Sequence, residues 1–218
     1  MCHELDDLIA RLTARFNARD EVLSASALVH GGREVVARQV ERLRRLRPAT
    51  VVEIGTRHGA MAALLARLAG RVFTIDLQES HLVPEVLDAA AAHNVVPLLI
   101  ANDAAKGLLL DHLSFDLAFL DGCLERDGVA FDFAHTRRCG RVLFHDYGDP
   151  ASRGVTEFVN SLTEGTLLLD APFAWWFAPG IEPLEPVRAL NPIQAPAPRR
   201  PASCRDGTPF CTPGLRCP

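Results

Sequence analysis

The sequence predicts an α/β fold: a Rossmann-like, doubly wound and mostly parallel seven-stranded sheet with helices on both faces and a C-terminal antiparallel hairpin. From residue 51 onward, short apolar runs alternate with helix-length segments, which is typical of parallel strands joined by crossover helices. These runs are almost continuously apolar, as expected for strands that are covered on both faces. After residue 165 two such runs follow each other closely, which predicts a hairpin at the edge of the sheet.

Two amphipathic helices are predicted before the first strand, over residues 5–16 and 34–46, because apolar residues recur there at three- and four-residue spacing. Gly31 and Gly32 interrupt the chain before the second helix, and Pro48 ends it. Trp175 and Trp176 are expected to pack inside the hairpin rather than to stack on a ligand. The predicted strands are 51–54, 72–75, 96–100, 117–120, 142–144, 166–169 and 173–177. The predicted later helices are 60–68, 83–92, 104–112, 126–138 and 152–162.

The charge and the hydropathy of the chain exclude some classes of partner. A formal net charge of −4 gives no electrostatic reason to expect a nucleic acid or an anionic membrane. No apolar run reaches the roughly 18 residues that a membrane-spanning helix needs. The first residues are acidic and lack the basic and then apolar pattern of a secretory signal. We therefore expect a cytoplasmic protein.

The most informative segment is the glycine turn that follows the first predicted strand, Gly55-Thr56-Arg57-His58-Gly59. Its two glycines let the backbone turn sharply and let a ligand approach closely. The helix that begins near Gly59 points free N–H groups into the turn. Asp76 closes the next strand, at about the separation expected for a carboxylate that holds a ribose diol. With Glu53 before the turn, these residues favour a nucleotide-like ligand over a turn that binds nothing.

Glu53-Ile54-Gly55-Thr56, followed by Gly59, resembles the first motif of the class I S-adenosylmethionine-dependent methyltransferases, especially their small-molecule O-methyltransferase-like group. Further motifs of that family match in order, and the resemblance covers roughly residues 30–180. The matching segments are Asp76, Asn102-Asp103-Ala104, Phe119-Leu120-Asp121-Gly122, Leu143-Phe144-His145-Asp146-Tyr147, and Gly154-Val155 with Phe158-Val159.

The resemblance implies that S-adenosylmethionine lies across the carboxyl ends of the strands, at the switch point of the sheet. It implies that Asp76 accepts hydrogen bonds from the ribose hydroxyls and that Leu77 or Gln78 flanks the adenine. It also implies that the backbone of Gly55 and Thr56 approaches the methionine portion. The full expected set of cofactor-binding residues is Glu53, Gly55, Thr56, His58, Gly59, Asp76, Leu77, Gln78, Asp103, Ala104 and Asp121. Within this set His58 either contacts the donor carboxylate or is a solvated loop histidine.

Asp121, His145 and Asp146 are expected at the carboxyl ends of their strands, facing one crevice. In metal-dependent relatives, acids at the positions of Asp121 and Asp146 help to hold a divalent ion, and oxygen ligands of this kind suit Mg²⁺. Alternatively, His145 is a general base, because the ordinary pKa of histidine lies near neutral pH. It could also only cap the strand end. We take His145 and Asp121 as the candidate catalytic residues.

The chain departs from the family pattern after Asp121-Gly122. The family often continues there with an acidic residue and a histidine, whereas this chain has Cys123 and Leu124. Tyr147 stands where some relatives place a further acid or amide ligand. No base is paired with Cys123 in the sequence, so this residue is expected to be a small buried thiol. These departures weaken the expected metal site.

The favoured function is S-adenosylmethionine-dependent methyl transfer to a small-molecule acceptor, at a hydroxyl oxygen. A methyltransferase-like module that binds the cofactor without catalysis is an alternative, because of the departures after Asp121. An NAD-dependent reductase is another. The chain lacks both the Gly-x-Gly-x-x-Gly pattern and the Tyr-x-x-x-Lys pair, and these absences argue against a reductase.

Three segments are expected along the chain. Residues 1–48 form helices that cover the crevice or mediate a homodimer, both common in the family. Residues 49–180 form the S-adenosylmethionine-binding domain, and residues 181–218 form a proline-rich tail. The tail contains Cys204, Cys211 and Cys217, whose spacing does not fit the short Cys-x2-Cys pairs of a zinc site. A disulfide, a part in a metal site, a modification and no role at all stay open for these thiols.

Overall fold

The computed structural model describes residues 2–16, 21–24 and 26–184, without the side chains of residues 21 and 24. The helices are α1 (His3–Arg15), α2 (Glu21–Ser24), α3 (Arg33–Leu46), α4 (Ala60–Ala66), α5 (Leu82–Ala89), α6 (Asp103–His112), α7 (Arg126–Thr136) and α8 (Arg153–Ser161). The strands are β1 (Thr50–Ile54), β2 (Arg71–Asp76), β3 (Val95–Leu99), β4 (Leu117–Leu120), β5 (Arg141–Phe144), β6 (Thr166–Asp170) and β7 (Phe173–Phe177). The predicted order of strands and helices is confirmed with small shifts at the ends. The short helix α2 was not predicted.

The strands form one sheet in the order β3-β2-β1-β4-β5-β7-β6. The central strand β1 pairs in parallel with β2 on one side and with β4 on the other. Because the chain runs outward in both directions from β1, a switch point lies between β1 and β4. Ile54 of β1 is in register with Ile75 of β2 and Leu120 of β4. The residues that follow these three positions therefore meet at one edge of the sheet.

The predicted C-terminal hairpin is confirmed, since β7 pairs antiparallel with both β5 and β6. Trp175 and Trp176 lie side by side in β7 and are almost completely buried. Successive strand residues face opposite sides of a sheet, and the two indoles accordingly belong to different hydrophobic clusters. Trp175 donates a hydrogen bond to Oε1 of Gln39 (2.8 Å), and Trp176 donates one to the carbonyl oxygen of Glu164 (2.7 Å). Both tryptophans therefore have the packing role that the sequence predicted.

Helices cover both faces of the sheet. On one face, α1, α3, α4 and α5 pack in a single cluster that includes Leu8, Val40 and Phe119. On the other face, α6, α7 and α8 pack in a second cluster around Phe133 and Phe158. The strands alternate between the two clusters, so the fold has three layers and two hydrophobic cores.

An ion-pair network joins α3 to the last residue of β6. The Asp170 carboxylate accepts hydrogen bonds from Arg38 (2.7 and 3.0 Å), Arg42 (2.7 Å) and Gln39 (2.9 Å). Burial by itself would raise the pKa of Asp170, but these arginines lower it to about 2. The network fixes the N-terminal helices against the hairpin. Their expected part as a lid or a dimer element stays a prediction.

Among the described residues, no helix combines the length and the apolar character needed to span a membrane. Cys204, Cys211 and Cys217 of the predicted tail lie outside the described residues.

Candidate active site

A cleft of about 1070 Å³ opens at the carboxyl ends of β1, β2, β4 and β5. Ligand pockets commonly have volumes of about 300–1,000 Å³, so this cleft is large enough for a cofactor-sized molecule. Seven residues of the expected cofactor-binding set line it, namely Gly55, His58, Asp76, Leu77, Gln78, Asp103 and Asp121. The other four, which do not line it, are Glu53, Thr56, Gly59 and Ala104.

The glycine turn has a backbone that only glycine adopts without strain. Gly55 has a φ of +99° and Gly59 a φ of +85°. A Cβ atom on Gly55 would lie 2.3 Å from the carbonyl oxygen of Asp121, because β1 and β4 approach each other closely there. Gly59 directly precedes α4 and has more open surroundings. The turn therefore brings bare backbone to the cleft.

Backbone hydrogen bonds hold the Asp76 carboxylate at the mouth of this turn. Its Oδ2 accepts from the N–H of Arg57 (2.8 Å), and its Oδ1 accepts from the N–H of Gln78 (2.9 Å). A carboxylate oxygen can accept more than one hydrogen bond. Asp76 is thus fixed in place and still able to accept hydrogen bonds from a ligand.

Glu53 lies underneath the turn rather than in the cleft, and its side chain is fully buried. It accepts a hydrogen bond from Thr74, whose hydroxyl is in turn 2.6 Å from that of Thr56. Burial raises the pKa of Glu53 well above its ordinary range, and the nearby charges of Asp121 and Asp76 add to the increase. Glu53 therefore supports the turn from below.

Leu77, Gln78 and Asp103 also line the cleft. Asp103 forms an ion pair with Lys106 (2.8 Å), and Lys106 also pairs with the buried Asp132 (2.6 Å). Lys106 lines the cleft and is itself almost fully buried, a role that its sequence context did not indicate. The ion pair fixes the Asp103 carboxylate at the wall of the cleft.

His58 reaches from the glycine turn to the segment that follows β2. Its Nδ1 lies 2.9 Å from the hydroxyl of Ser80, and the ring is partly buried. It is therefore a partly buried residue of the cleft, and its contact with a donor carboxylate stays a prediction.

Asp121, His145 and Asp146 meet at the wall of the cleft, as their positions in the sequence predicted. Nδ1 of His145 lies 2.9 Å from a carboxylate oxygen of Asp121 and 2.9 Å from one of Asp146. Burial alone would lower the pKa of His145, but these two carboxylates raise it to about 9. Burial raises the pKa of Asp121. Burial also acts to raise the pKa of Asp146, but the contacts with His145 and His30 together outweigh it and lower that pKa. Without another cation, the imidazole therefore keeps its proton at neutral pH.

His30, which no sequence pattern indicated, joins this cluster from the loop before α3. Its Nδ1 lies 3.0 Å from Asp146, and its Nε2 lies 3.4 Å from Asp149. The loop sits tightly on the hairpin turn, since a Cβ atom on Gly31 would collide with Pro172. The Gly31-Gly32 pair predicted a helix boundary. Glycines also allow two backbone segments to approach closely, and this is what Gly31 does against Pro172.

Mg²⁺ fits the donor atoms of this cluster poorly. The expected pair of carboxylates, Asp121 and Asp146, shares its position with the imidazoles of His145 and His30. Mg²⁺ prefers oxygen ligands and retains several waters. Tyr147 does not supply a further oxygen, because its hydroxyl donates to Asn160 (3.0 Å) in the buried second core. The cluster is a mixed nitrogen and oxygen set.

The expectation that Cys123 is a small buried thiol is wrong, because the residue is exposed. It follows the end of β4, where the chain leaves the sheet and forms the rim of the cleft. The side chain packs beside Gly128, at which a Cβ atom would collide with the sulfur. Cys123 is therefore an exposed residue at the rim of the cleft.

Residues 52–147 match a family model described as a methyltransferase domain. No curated protein matches the chain. Structural similarity extends over most of the chain, to solved structures of low sequence identity. One is the O-methyltransferase TomG from Streptomyces achromogenes, which is involved in tomaymycin synthesis and was solved in complex with S-adenosylmethionine. The sequence identity is 20%, the alignment covers 81% of this chain and 98% of that chain, and the TM-score is 0.51.

Two further solved structures contain S-adenosylhomocysteine. The methyltransferase PaMTH1 from Podospora anserina has 14% identity, with 79% of this chain and 88% of that chain covered and a TM-score of 0.59. An O-methyltransferase from Bacillus cereus has 15% identity, with 80% and 90% covered and a TM-score of 0.50. At these identities the likeness shows a shared fold, and the family model adds the class of domain.

Proposed function

The chain carries a class I S-adenosylmethionine-dependent methyltransferase domain, and on this premise we propose that it methylates a hydroxyl oxygen of a small molecule. The observation that carries the proposal is the arrangement of the cleft. A glycine turn with a fixed carboxylate, Asp76, occupies one part of it, and a buried acid–imidazole cluster occupies another. One bound molecule at each part would bring donor and acceptor together.

In the donor part, Asp76 would accept hydrogen bonds from the ribose hydroxyls, and the backbone of Gly55 would face the methionine portion. Leu77 and Gln78 would flank the adenine, beside the fixed carboxylate of Asp103. These assignments are supported by the side chains that line the cleft and by the two backbone hydrogen bonds that hold Asp76. Glu53 would act indirectly, by supporting the turn from below.

In the acceptor part, the reaction needs position and removal of one proton. The sulfonium already activates the methyl group, so the protein must align the acceptor oxygen and provide a group for its proton. Asp121 and His145 are the residues we assign to this task. The carboxylate of Asp121 would receive the proton of the acceptor hydroxyl. The protonated imidazole of His145 would stabilise the negative charge that develops on the acceptor oxygen.

Calorimetry followed by a transfer assay tests the proposal. S-adenosylmethionine and S-adenosylhomocysteine should bind the full chain with one site. A radiolabelled methyl group should then move from the donor to members of a panel of hydroxylated small molecules. Binding without transfer across the panel would favour the non-catalytic module, which Cys123 and Leu124 in place of the family's acid and histidine make the second candidate. Binding of NAD in preference to S-adenosylmethionine would contradict the proposal.

A further inference from the structure

The acidic and basic side chains that line the cleft fall into two groups. The sheet order β3-β2-β1-β4-β5 places the segments after β4 and β5 on one side of β1 and those after β2 and β3 on the other. Among the described residues, one group follows β1, β2 or β3 and consists of Arg57, His58, Asp76, Glu79, His81, Asp103 and Lys106. The other is the acid–imidazole cluster, which consists of His30, Asp121, His145, Asp146 and Asp149. The β4–β5 side of the cleft therefore has its charge concentrated in one cluster.

The remaining lining of the β4–β5 side is apolar or small, and three of these residues form an exposed apolar border. Val29 is 46% exposed and Leu124 is 41% exposed, and Ala151 is exposed as well. All three line the cleft. In the sequence, each stands within three residues of a member of the acid–imidazole cluster. The apolar border thus adjoins the polar cluster.

The segments that carry the apolar border pack against one another. A Cβ atom on Gly154 would lie 2.3 Å from the carbonyl oxygen of Leu124, so the start of α8 lies against the segment that follows β4. Ala151 belongs to the short turn that directly precedes α8. Nε2 of His30 lies 3.4 Å from a carboxylate oxygen of Asp149, which brings the loop before α3 to that same turn. Packing of the backbone therefore holds the apolar border next to the cluster.

The apolar border favours an acceptor with an apolar body. A ligand that covers Val29 and Leu124 removes their exposed apolar surface from water, which is favourable. The side chains of the border offer no hydrogen-bond partner. A second polar group of the ligand that lies against them would therefore lose its water without a replacement. Acceptors with many hydroxyl groups, such as sugars, are disfavoured for this reason.

The acid–imidazole cluster disfavours an anionic acceptor. It contains the carboxyl groups of Asp121, Asp146 and Asp149, and the imidazoles of His145 and His30 already contact all three. A carboxylate or a phosphate on the acceptor would come close to these acidic groups. Like charges at such a short distance repel each other, and the repulsion is strongest where water is excluded.

We infer that the acceptor is an uncharged molecule with an apolar body and one reacting hydroxyl group, such as a phenol or an aromatic alcohol. Its hydroxyl group meets Asp121 and His145, and its ring lies against Val29 and Leu124. This inference rests on the proposed function, because it names the class of acceptor for the same site.

Calorimetry on the full chain, loaded with S-adenosylhomocysteine at neutral pH, tests the class of acceptor. Para-cresol and para-hydroxybenzoate form a matched pair, because they differ only in a methyl group and a carboxylate. We expect para-cresol to bind at least about 10-fold more tightly than para-hydroxybenzoate. We expect para-phenylphenol, with its larger apolar body, to bind more tightly still, and methyl glucoside not to bind. The inference is overturned if neither phenol binds, or if para-hydroxybenzoate or methyl glucoside binds as tightly as para-cresol.

Leu124→Asn and Val29→Thr test the apolar border, because each exchanges an apolar side chain for a polar one of similar size. Both should weaken the binding of para-phenylphenol by about 5–20-fold and leave the affinity for S-adenosylhomocysteine unchanged. Leu108→Asn is the matched control, because Leu108 is 65% exposed on α6 and does not line the cleft. It should bind both ligands as the native chain does. Unchanged affinity for para-phenylphenol in both border variants would overturn the inference.

This experiment separates a failure of the inference from a failure of the proposed function. If S-adenosylhomocysteine and the phenols bind but no methyl group is transferred to the phenols, the result counts against the proposed function and leaves the preference of the site standing. Transfer of a methyl group to methyl glucoside or to para-hydroxybenzoate in preference to the phenols would support methyl transfer and overturn the inference.

Discussion

Replacing Gly55 with alanine should destabilise the fold and displace the end of β4, where Asp121 enters the cleft. Gly55 has a φ of +99°, which side chains rarely adopt. A Cβ atom there would lie 2.3 Å from the carbonyl oxygen of Asp121 and 2.8 Å from Cα of Gly122. Both are backbone atoms of a central strand and its turn, so neither can rotate away as a flexible side chain could.

The cost has two parts. A side chain in a disfavoured backbone region costs about 1–3 kcal/mol. Forcing an extra carbon into close-packed surroundings costs about a further 1–3 kcal/mol. The sum is about 2–6 kcal/mol. This is a large share of the free energy of unfolding of a typical protein, which is about 5–15 kcal/mol.

Gly59→Ala separates the two parts, because it shares the positive φ but not the collision. Gly59 has a φ of +85°, and a Cβ atom there would meet Val83 at an ordinary 3.7 Å. Unfolding in urea, followed by circular dichroism, should show Gly55→Ala to be less stable than Gly59→Ala by about 1–3 kcal/mol. With a urea slope of about 2 kcal/mol per molar, the midpoints differ by roughly 0.5–1.5 M. Equal losses in the two variants would refute the tight approach of β1 and β4.

The remaining predictions concern two ion pairs. Because Arg38 and Arg42 hold the folded pKa of Asp170 at about 2 despite burial, below the about 3.9 of an unfolded chain, its stabilisation is present above about pH 4 and is lost toward pH 2. After a discount for the partial exposure of the carboxylate, Asp170→Asn should lower the free energy of unfolding by about 1–2 kcal/mol at about pH 6 and by nearly nothing at pH 2. Urea unfolding at the two pH values measures this, and a difference that does not change with pH would contradict it. Lys106→Met should cost about 3–5 kcal/mol in urea unfolding, because it leaves the buried carboxylate of Asp132 without its cation. Adding Asp132→Leu should recover most of that loss, and no recovery would argue against the ion pair as its cause.

The fold could be predicted because its signals are local and repeated. The strands β1, β4, β5 and β7 are buried on both faces, so each appears in the sequence as an apolar run. The edge strand β3 is apolar as well, although it is largely exposed. The hairpin was readable because β6 and β7 are close in sequence and both apolar. Only the four-residue α2 escaped, since it is too short to show a helical period.

The glycine turn of the cleft could be predicted because a single contiguous motif builds it. Gly55 and Gly59 stand on one turn, and parallel pairing in register brings Asp76 to the same edge. The position of Glu53 could not be read in the same way. Where both faces of a strand are buried, the apolar pattern does not show which polar side chain points into a cleft and which lies beneath it.

The acid–imidazole cluster of the cleft depends on contacts between segments that are distant in sequence. His30 reaches Asp146 only because the loop at Gly31 packs against Pro172 of the hairpin turn. Likewise, the burial of Lys106 depends on Asp132 from the next helix. No periodicity or motif encodes such meetings, so the sequence indicated the strand-end residues Asp121, His145 and Asp146 but not their partner His30.

The most direct test of the account is the affinity of S-adenosylhomocysteine for the native chain and for Asp76→Ala, measured by calorimetry. Hydrogen bonds to a charged group contribute about 1.5–3 kcal/mol each, so loss of the carboxylate should weaken binding by roughly 10–100-fold or more. Asp111→Ala, which removes a half-exposed carboxylate on α6, is the control and should bind as the native chain does. Unchanged affinity in Asp76→Ala would contradict the assignment of the donor to this cleft.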